Sequence, residues 1–269
     1  MDKSSFLGLV VAAGGILLGL TMEGGKVAQI MQPTAALIVF GGTLGAVMLQ
    51  FPLRVVLEAF KRLGSVFFDK SKDPRERIAE IVGYANKARR GGIVSLDKEI
   101  ESIQEPFLKK SLMLAVDGTE PQELRKMMEL ELDNQAEHEE LIPKVFESAG
   151  GFSPTVGIIG AVLGLIQVMQ HLDDITEVGR GIAVAFVATI YGVAAANLFF
   201  LPCSGKIKLR IRQDQIAREM ILEGVVSILE GMNPRMIETK LLGFFAEANK
   251  AAPPPEKAKA ALKTEEKTA

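Results

Sequence analysis

Residues 150–169 read GGFSPTVGIIGAVLGLIQVM. No side chain in this stretch carries a full charge, yet it contains Pro154 and glycines at 157, 160 and 164. It is apolar enough to be a membrane helix, but it is interrupted by residue types that weaken helices in water. Its surroundings resolve the contradiction. The uncharged run extends from residue 148 to 172, and three others match it, at residues 4–22, 27–53 and 181–205. A helix needs about 17–25 apolar residues to cross roughly 30 Å of hydrocarbon. Although 24% of the chain is charged, none of that charge falls in these windows. The pattern predicts an all-α, polytopic membrane protein with four transmembrane helices.

The first window has only Lys3, offset by Asp2, ahead of its apolar run, and no A-x-A cleavage site precedes Glu23. It is therefore expected to be a retained span and not a cleaved leader. Cys203 is the single cysteine, which excludes an internal disulfide and a cysteine zinc cluster.

The connections set the orientation. Residues 23–30 and 171–179 are short, whereas 52–148 is domain-sized and 204–269 is a long tail. Arg54, Lys61 and Arg62 follow span two, and Lys206, Lys208, Arg210 and Arg212 follow span four. Basic flanks stay on the cytoplasmic side, which places both termini and the large insertion there. The basic stretch at 206–212 is accounted for by this rule, so no nucleic-acid partner is implied. The expected layout is residues 1–51 as spans one and two, and 52–149 as a helical cytoplasmic domain. Spans three and four take up 150–203, cytoplasmic C-terminal helices 204–248, and a disordered tail 249–269. Within the insertion, Asp73-Pro74-Arg75-Glu76 starts a helix. Ile78, Ile81, Val82 and Ala85 continue it, and Gly91-Gly92 ends it. A longer helix is predicted from Pro121 towards Val145, interrupted near Pro143. Another runs inward from span four to Asn233-Pro234, and a shorter one follows through Phe245.

The spacing of Gly157, Gly160 and Gly164 puts them on one helix face. Lipid offers no hydrophobic drive for helix association, so small residues that let backbones approach mark contact faces. Gly14, Gly15 and Gly19 in span one, and Gly41, Gly42 and Gly45 in span two, are expected to pack within a subunit. Glycines in so many spans imply further contacts, and hence an oligomer.

Ion and proton pathways are marked by ionisable residues at depth. The polar inventory at depth is small, namely Thr34, Thr43, Thr155, Gln167, Thr189, Tyr191 and Asn197, with His171 at the outer edge. The spans have no carboxylate with which to relay a proton, and a partner must bring one. Thr189 and Tyr191 read either as packing residues or as lining of an ion path. No hydrolase, zinc-protease or nucleotide-binding motif occurs, and the two histidines fall in separate compartments. No enzyme activity, cofactor or metal is expected.

These features resemble the MotA/PomA family of flagellar stator subunits over most of the chain up to about residue 245. KARRGGIVSLDKEI at 87–100 and LAVDGTEPQELRKMMELEL at 114–132 are similar to that family's cytoplasmic hallmarks. PTVGIIGAVLGLI at 154–166 and ATIYGVAAANLFFLP at 188–202 look like its third and fourth spans. The resemblance implies a homopentamer in the bacterial inner membrane around two copies of a MotB-type partner. That partner's one transmembrane helix carries the missing Asp, and the ring turns the rotor through its FliG protein. The family's rotor-facing basic position falls on Arg89, with Arg90 adjacent. Its acidic counterpart falls on Asp97, where Glu is commoner, with Glu99 or Glu101 as candidates to share the role. The family's coupling prolines fall on Pro154 and Pro202. Sodium-driven relatives carry a Thr where this chain has Ala161, while Thr189 matches a family Thr, so the resemblance implies a proton as coupling ion. The rival reading is an ExbB/TolQ-type energiser of outer-membrane transport, which generally has three spans and no use for the charged 87–101 segment.

Overall fold

A computed structural model describes residues 2–68 and 73–250, with side chains up to residue 244. Among the described residues there are helices and no strand. The order is α1 (Lys3–Met22), a 3₁₀ turn (Val27–Ile30), α2 (Pro33–Gln50), α3 (Leu53–Phe67) and α4 (Pro74–Gly91). A second 3₁₀ turn (Ile93–Leu96) leads to α5 (Asp97–Ile100), α6 (Pro106–Val116), α7 (Pro121–Gln170) and α8 (Ile175–Ala194). A π turn (Ala195–Phe200) joins α8 to α9 (Leu201–Leu229), and α10 (Pro234–Lys250) follows. Four helical stretches are long and apolar enough to cross a membrane, at Lys3–Met22, Pro33–Gln50, within Pro121–Gln170 and within Ile175–Leu229.

Local chemistry explains the helix starts. The Asp73 carboxylate accepts from the Arg75 N–H at 2.9 Å and Pro74 takes the first helical position, where its missing N–H costs nothing. Glu105-Pro106 and Asn233-Pro234 repeat the device, with caps to the Leu108 and Arg235 N–H groups. Gly92 ends α4 at φ 77°, a left-handed conformation that glycine adopts without strain.

The chain forms two compact units, Met1–Lys70 with Ala136–Arg212, and Ser71–Gln135 with Gln213–Ala269. The first contains the four apolar stretches together with α3 and the 136–149 part of α7. Its larger core joins Val56 and Ala59 of α3 to Ile142 and Phe146 of α7 and Ile207 of α9. A smaller one joins Ala35 and Val39 of α2 to Val187 and Ala188 of α8. In the second unit Leu96, Leu112, Leu124, Val225, Ile237 and Leu241 are fully enclosed. There α4 and α9 pack so tightly that a β-carbon on Gly224 would come 2.7 Å from Ile81 Cγ2.

Two sequence expectations change. The interruption near Pro143 is absent, because α7 runs unbroken through both Pro143 and Pro154. Ile142, Val145 and Phe146 are all buried around Pro143, and the buried Ser204 hydroxyl donates to its carbonyl at 3.0 Å. That packing offsets the lost helical hydrogen bond. The last helix also extends beyond Phe245, to Lys250. Residues 251–269, most of the expected disordered tail, lie outside the described residues.

Candidate functional site

Two regions carry the candidate residues, one in each unit. In the membrane unit, α7 and α8 meet along a seam of small residues. A β-carbon on Gly157 would lie 2.9 Å from the Ala188 carbonyl oxygen, and one on Gly192 only 2.5 Å from that of Ser153. One on Gly164 would press on Ala185 N and Gly181 O, both at 2.8 Å. Gly160 faces Ala188 Cβ and Ile38. The glycines that open the sequence argument are therefore used inside the subunit, joining span three to span four. Gly42 of α2 also packs inward, on Val156, as expected. Gly14, Gly15, Gly19, Gly41 and Gly45 do not, since a β-carbon at any of them meets nothing within 4 Å.

Pro154 stands within α7 beside this seam, its Cα 3.2 Å from the β-carbon position of Gly192. Pro202 is the second residue of α9, directly after the π turn Ala195–Phe200. A proline ring presses on the carbonyl four residues earlier, here that of residue 198. The wider π turn gives that carbonyl room, and such turns recur at functional sites. The sequence flagged Pro202 but not the π turn.

The proposed ion-path residues lie along the same helices. Ala161 on α7 is half-buried and adds no hydroxyl. Thr189 donates back to the Ala185 carbonyl at 3.3 Å. The Tyr191 hydroxyl donates to the Ile30 carbonyl at 2.5 Å and accepts from the Gln32 N–H at 3.2 Å. It thus ties span four to the connection between spans one and two. Thr43 and Ser153 are buried with no hydrogen-bond partner for their hydroxyls.

Sequence reasoning missed a cluster at the base of span one. Asp2 caps α1 through Ser4 and Ser5, and it receives Lys206 Nζ at 2.6 Å and Arg210 at 3.1 Å. The Lys206 hydrogen bond, followed by that from Ser4, holds the Asp2 carboxyl well below the usual carboxylate range. Asp-x-Ser-Ser ahead of an apolar run was the available signal for the cap. Nothing local marked the two cations as its partners.

In the second unit the charged segment is a tight reversal. Arg89 and Arg90 occupy the last turn of α4, and Gly92 turns the chain. The Ser95 hydroxyl then donates to the Gly92 carbonyl at 2.6 Å. Asp97 opens α5, and Leu96 and Ile100 anchor this segment in the core. A salt bridge between Lys87 and Glu99 closes the reversal. Arg89, Arg90, Asp97 and Glu101 are exposed, and no described side chain pairs with them. The structure thus brings the expected rotor-facing charges together, but it occupies Glu99 internally. Elsewhere in this unit, Glu223 is held between Arg125 at 2.9 Å and Lys240. Among the described residues no cluster of His, Cys, Asp or Glu could hold a metal ion.

Residues 99–220 match the MotA/TolQ/ExbB proton channel family, and residues 6–92 match the motility protein A N-terminal family. Motility protein A of Bacillus subtilis is 34% identical over 91% of both chains. Chemotaxis protein PomA of Vibrio alginolyticus is 32% identical over 93% of this chain and 98% of its own. Among solved structures, that of C. jejuni MotAB superposes with a TM-score of 0.85 at 33% identity, covering 91% of this chain and 96% of that one. The flagellar MotAB stator complex from Bacillus subtilis gives 0.82, also at 33% identity, over 93% of this chain and all of the other.

Proposed function

Because the chain belongs to the motility protein A family, we propose that it is the ion-conducting ring subunit of a proton-driven flagellar stator, assembled with a MotB-type partner. As a member of this family it is a membrane protein of the flagellar motor and not an enzyme. The transport-energiser alternative shares the 99–220 match, but the 6–92 match is to a motility family, and the named relatives are motility proteins.

One observation carries the mechanism. Residues 4–22, 27–53, 148–172 and 181–205 contain no Asp, Glu, Lys or Arg, so these spans cannot hold a relayed proton themselves. The partner's single transmembrane helix, with its Asp, supplies that group at the centre of a pentameric ring. This chain supplies the wall. Ala161 and Thr189 flank the path, and Tyr191 fixes span four to the outer connection. Sodium needs several oxygen ligands to replace its hydration shell, and the methyl of Ala161 offers none. A proton needs only the carboxylate and water. Each charge crossing 100 mV releases about 2.3 kcal/mol, so torque accumulates over many small steps. Pro154 and Pro202 are the points at which spans three and four flex with each protonation. The exposed charges of Arg89, Arg90, Asp97 and Glu101 engage the rotor protein FliG, and both termini lie on the cytoplasmic side of the bacterial inner membrane.

The test is motor speed in a stator-less host carrying this chain and its partner. Speed is expected to be insensitive to external sodium and to collapse with a protonophore. Speed that scales with sodium at fixed pH overturns the coupling ion, and failure of any single-span Asp partner to restore rotation overturns the stator assignment.

A further inference from the structure

The helix after span two has three sectors, and one is unaccounted for. Val55, Val56, Ala59 and Val66 of α3 face the core. On the polar side Arg62 bonds Glu139 at 3.1 Å, and Glu58 lies 3.9 Å from His138. Between these sectors, Leu53, Leu57, Phe60 and Gly64 recur at spacings of four and three, which aligns them on one stripe, and Phe68, the cap residue directly after α3, follows it. Leu53, Leu57, Phe60 and Phe68 are 51–57% exposed. Lys61 and Arg54 border this stripe on its polar edge, both exposed and without a described partner.

The ends of α3 fix its place. It starts just after Gln50, the last residue of span two, and its Phe67 carbonyl accepts from the Asp2 N–H at 2.8 Å, at the first turn of span one. A helix strung between the inner ends of two spans lies at the level where those spans leave the membrane. Its apolar stripe continues from Met48 and Leu49 at the base of span two, Leu49 being 92% exposed.

We infer that α3 is an interfacial helix that seats its Leu53–Phe68 stripe among the acyl chains of the inner leaflet and binds anionic phospholipid headgroups through Arg54 and Lys61. An apolar face bordered by cations is the composition that holds a helix in the interface plane. Long basic side chains reach from that edge to phosphate while their stems stay on apolar surface. Neutral lipid would satisfy the stripe but leave both cations without counter-charge, so the surface selects anionic lipid. The choice of leaflet rests on the cytoplasmic topology proposed above.

The stator complex is reconstituted in lipid nanodiscs with a bimane label on Leu57→Cys in a Cys203→Ala background, and on Phe68→Cys as a second site. Brominated lipids are expected to quench both labels and aqueous iodide neither. Brominated phosphatidylglycerol should quench roughly two-fold more than brominated phosphatidylcholine, falling to parity in Arg54→Gln/Lys61→Gln. Quenching by iodide alone, or shielding from both quenchers by a second copy, overturns the seating. Equal quenching by the two lipids before those substitutions overturns the headgroup site. The measurement needs neither rotor nor proton-motive force, so it fails or succeeds independently of the motor assignment.

Discussion

Gly157 and Gly192 face each other across spans three and four so closely that a β-carbon on Gly192 would lie 3.1 Å from Gly157 Cα. Backbone forms that contact, and backbone cannot rotate away as a side chain can. Gly192→Ala is therefore expected to cost about 1–3 kcal/mol through overpacking, read as a lower unfolding temperature of the purified complex. Gly15→Ala is the control. It meets nothing within the subunit, so the fold should be unaffected, and a loss confined to assembly would place span one at a contact between copies.

Tyr191→Phe removes one hydrogen-bond donor and one acceptor, leaving the Ile30 carbonyl and Gln32 N–H unpaired. Leaving such groups unsatisfied costs about 1–3 kcal/mol. Hydrogen exchange at the Gln32 amide should accelerate while ion conduction persists. Lost conduction with unchanged exchange would make the hydroxyl part of the path.

Arg89→Glu is expected to abolish swimming while the stator still inserts and assembles, because Arg89 is exposed and unpaired. Exposed pairs contribute only about 0–1 kcal/mol, so Lys87→Glu should weaken the reversal slightly and Glu99→Lys added to it should restore the pair. Disappearance of the Arg89→Glu protein from membranes would show that Arg89 holds the fold instead.

Pro154→Ala restores the N–H that α7 lacks at this position, so stability should stay level or rise. Torque at matched stator number should fall, because the flexing point becomes regular helix. Unchanged torque would leave Pro154 with no role in coupling.

Burial raises the pKa of Glu223, but hydrogen bonds from Arg125 and Lys240 outweigh it and hold the group below the usual carboxylate range. Its contribution is thus fully present above the unfolded-state value of about 4.3 and is lost as pH falls through the lower folded value. Glu223→Gln should cost about 1–3 kcal/mol at pH 7 and flatten the acid limb of the stability curve measured by denaturant titration. An unchanged acid limb would remove Glu223 as its source.

Several features of this protein were legible in one dimension because their causes are local. Hydrocarbon excludes charge over a fixed thickness, so four uncharged runs announce four spans whatever they pack against. A cap and a proline at the first helical position act within one turn, so Asp73-Pro74 and Asn233-Pro234 marked their helices directly. The helix end at Gly91-Gly92 was visible for the same reason, whereas the charged segment at 87–101 was marked by its resemblance to the family.

Tertiary structure decided which candidates are engaged. Gly15 and Gly19 have the same spacing as Gly160 and Gly164, yet only the second pair is met by another span. Nothing in the spacing of Asp97, Glu99 and Glu101 singles out Glu99 as the one that closes on Lys87. Pro143 looked like a break because its missing hydrogen bond is a local cost, while Ile142, Phe146 and Ser204, which offset it, bring their partners from distant parts of the chain. Spacing records which residues share a face; what meets that face is set by chain segments that the spacing does not encode.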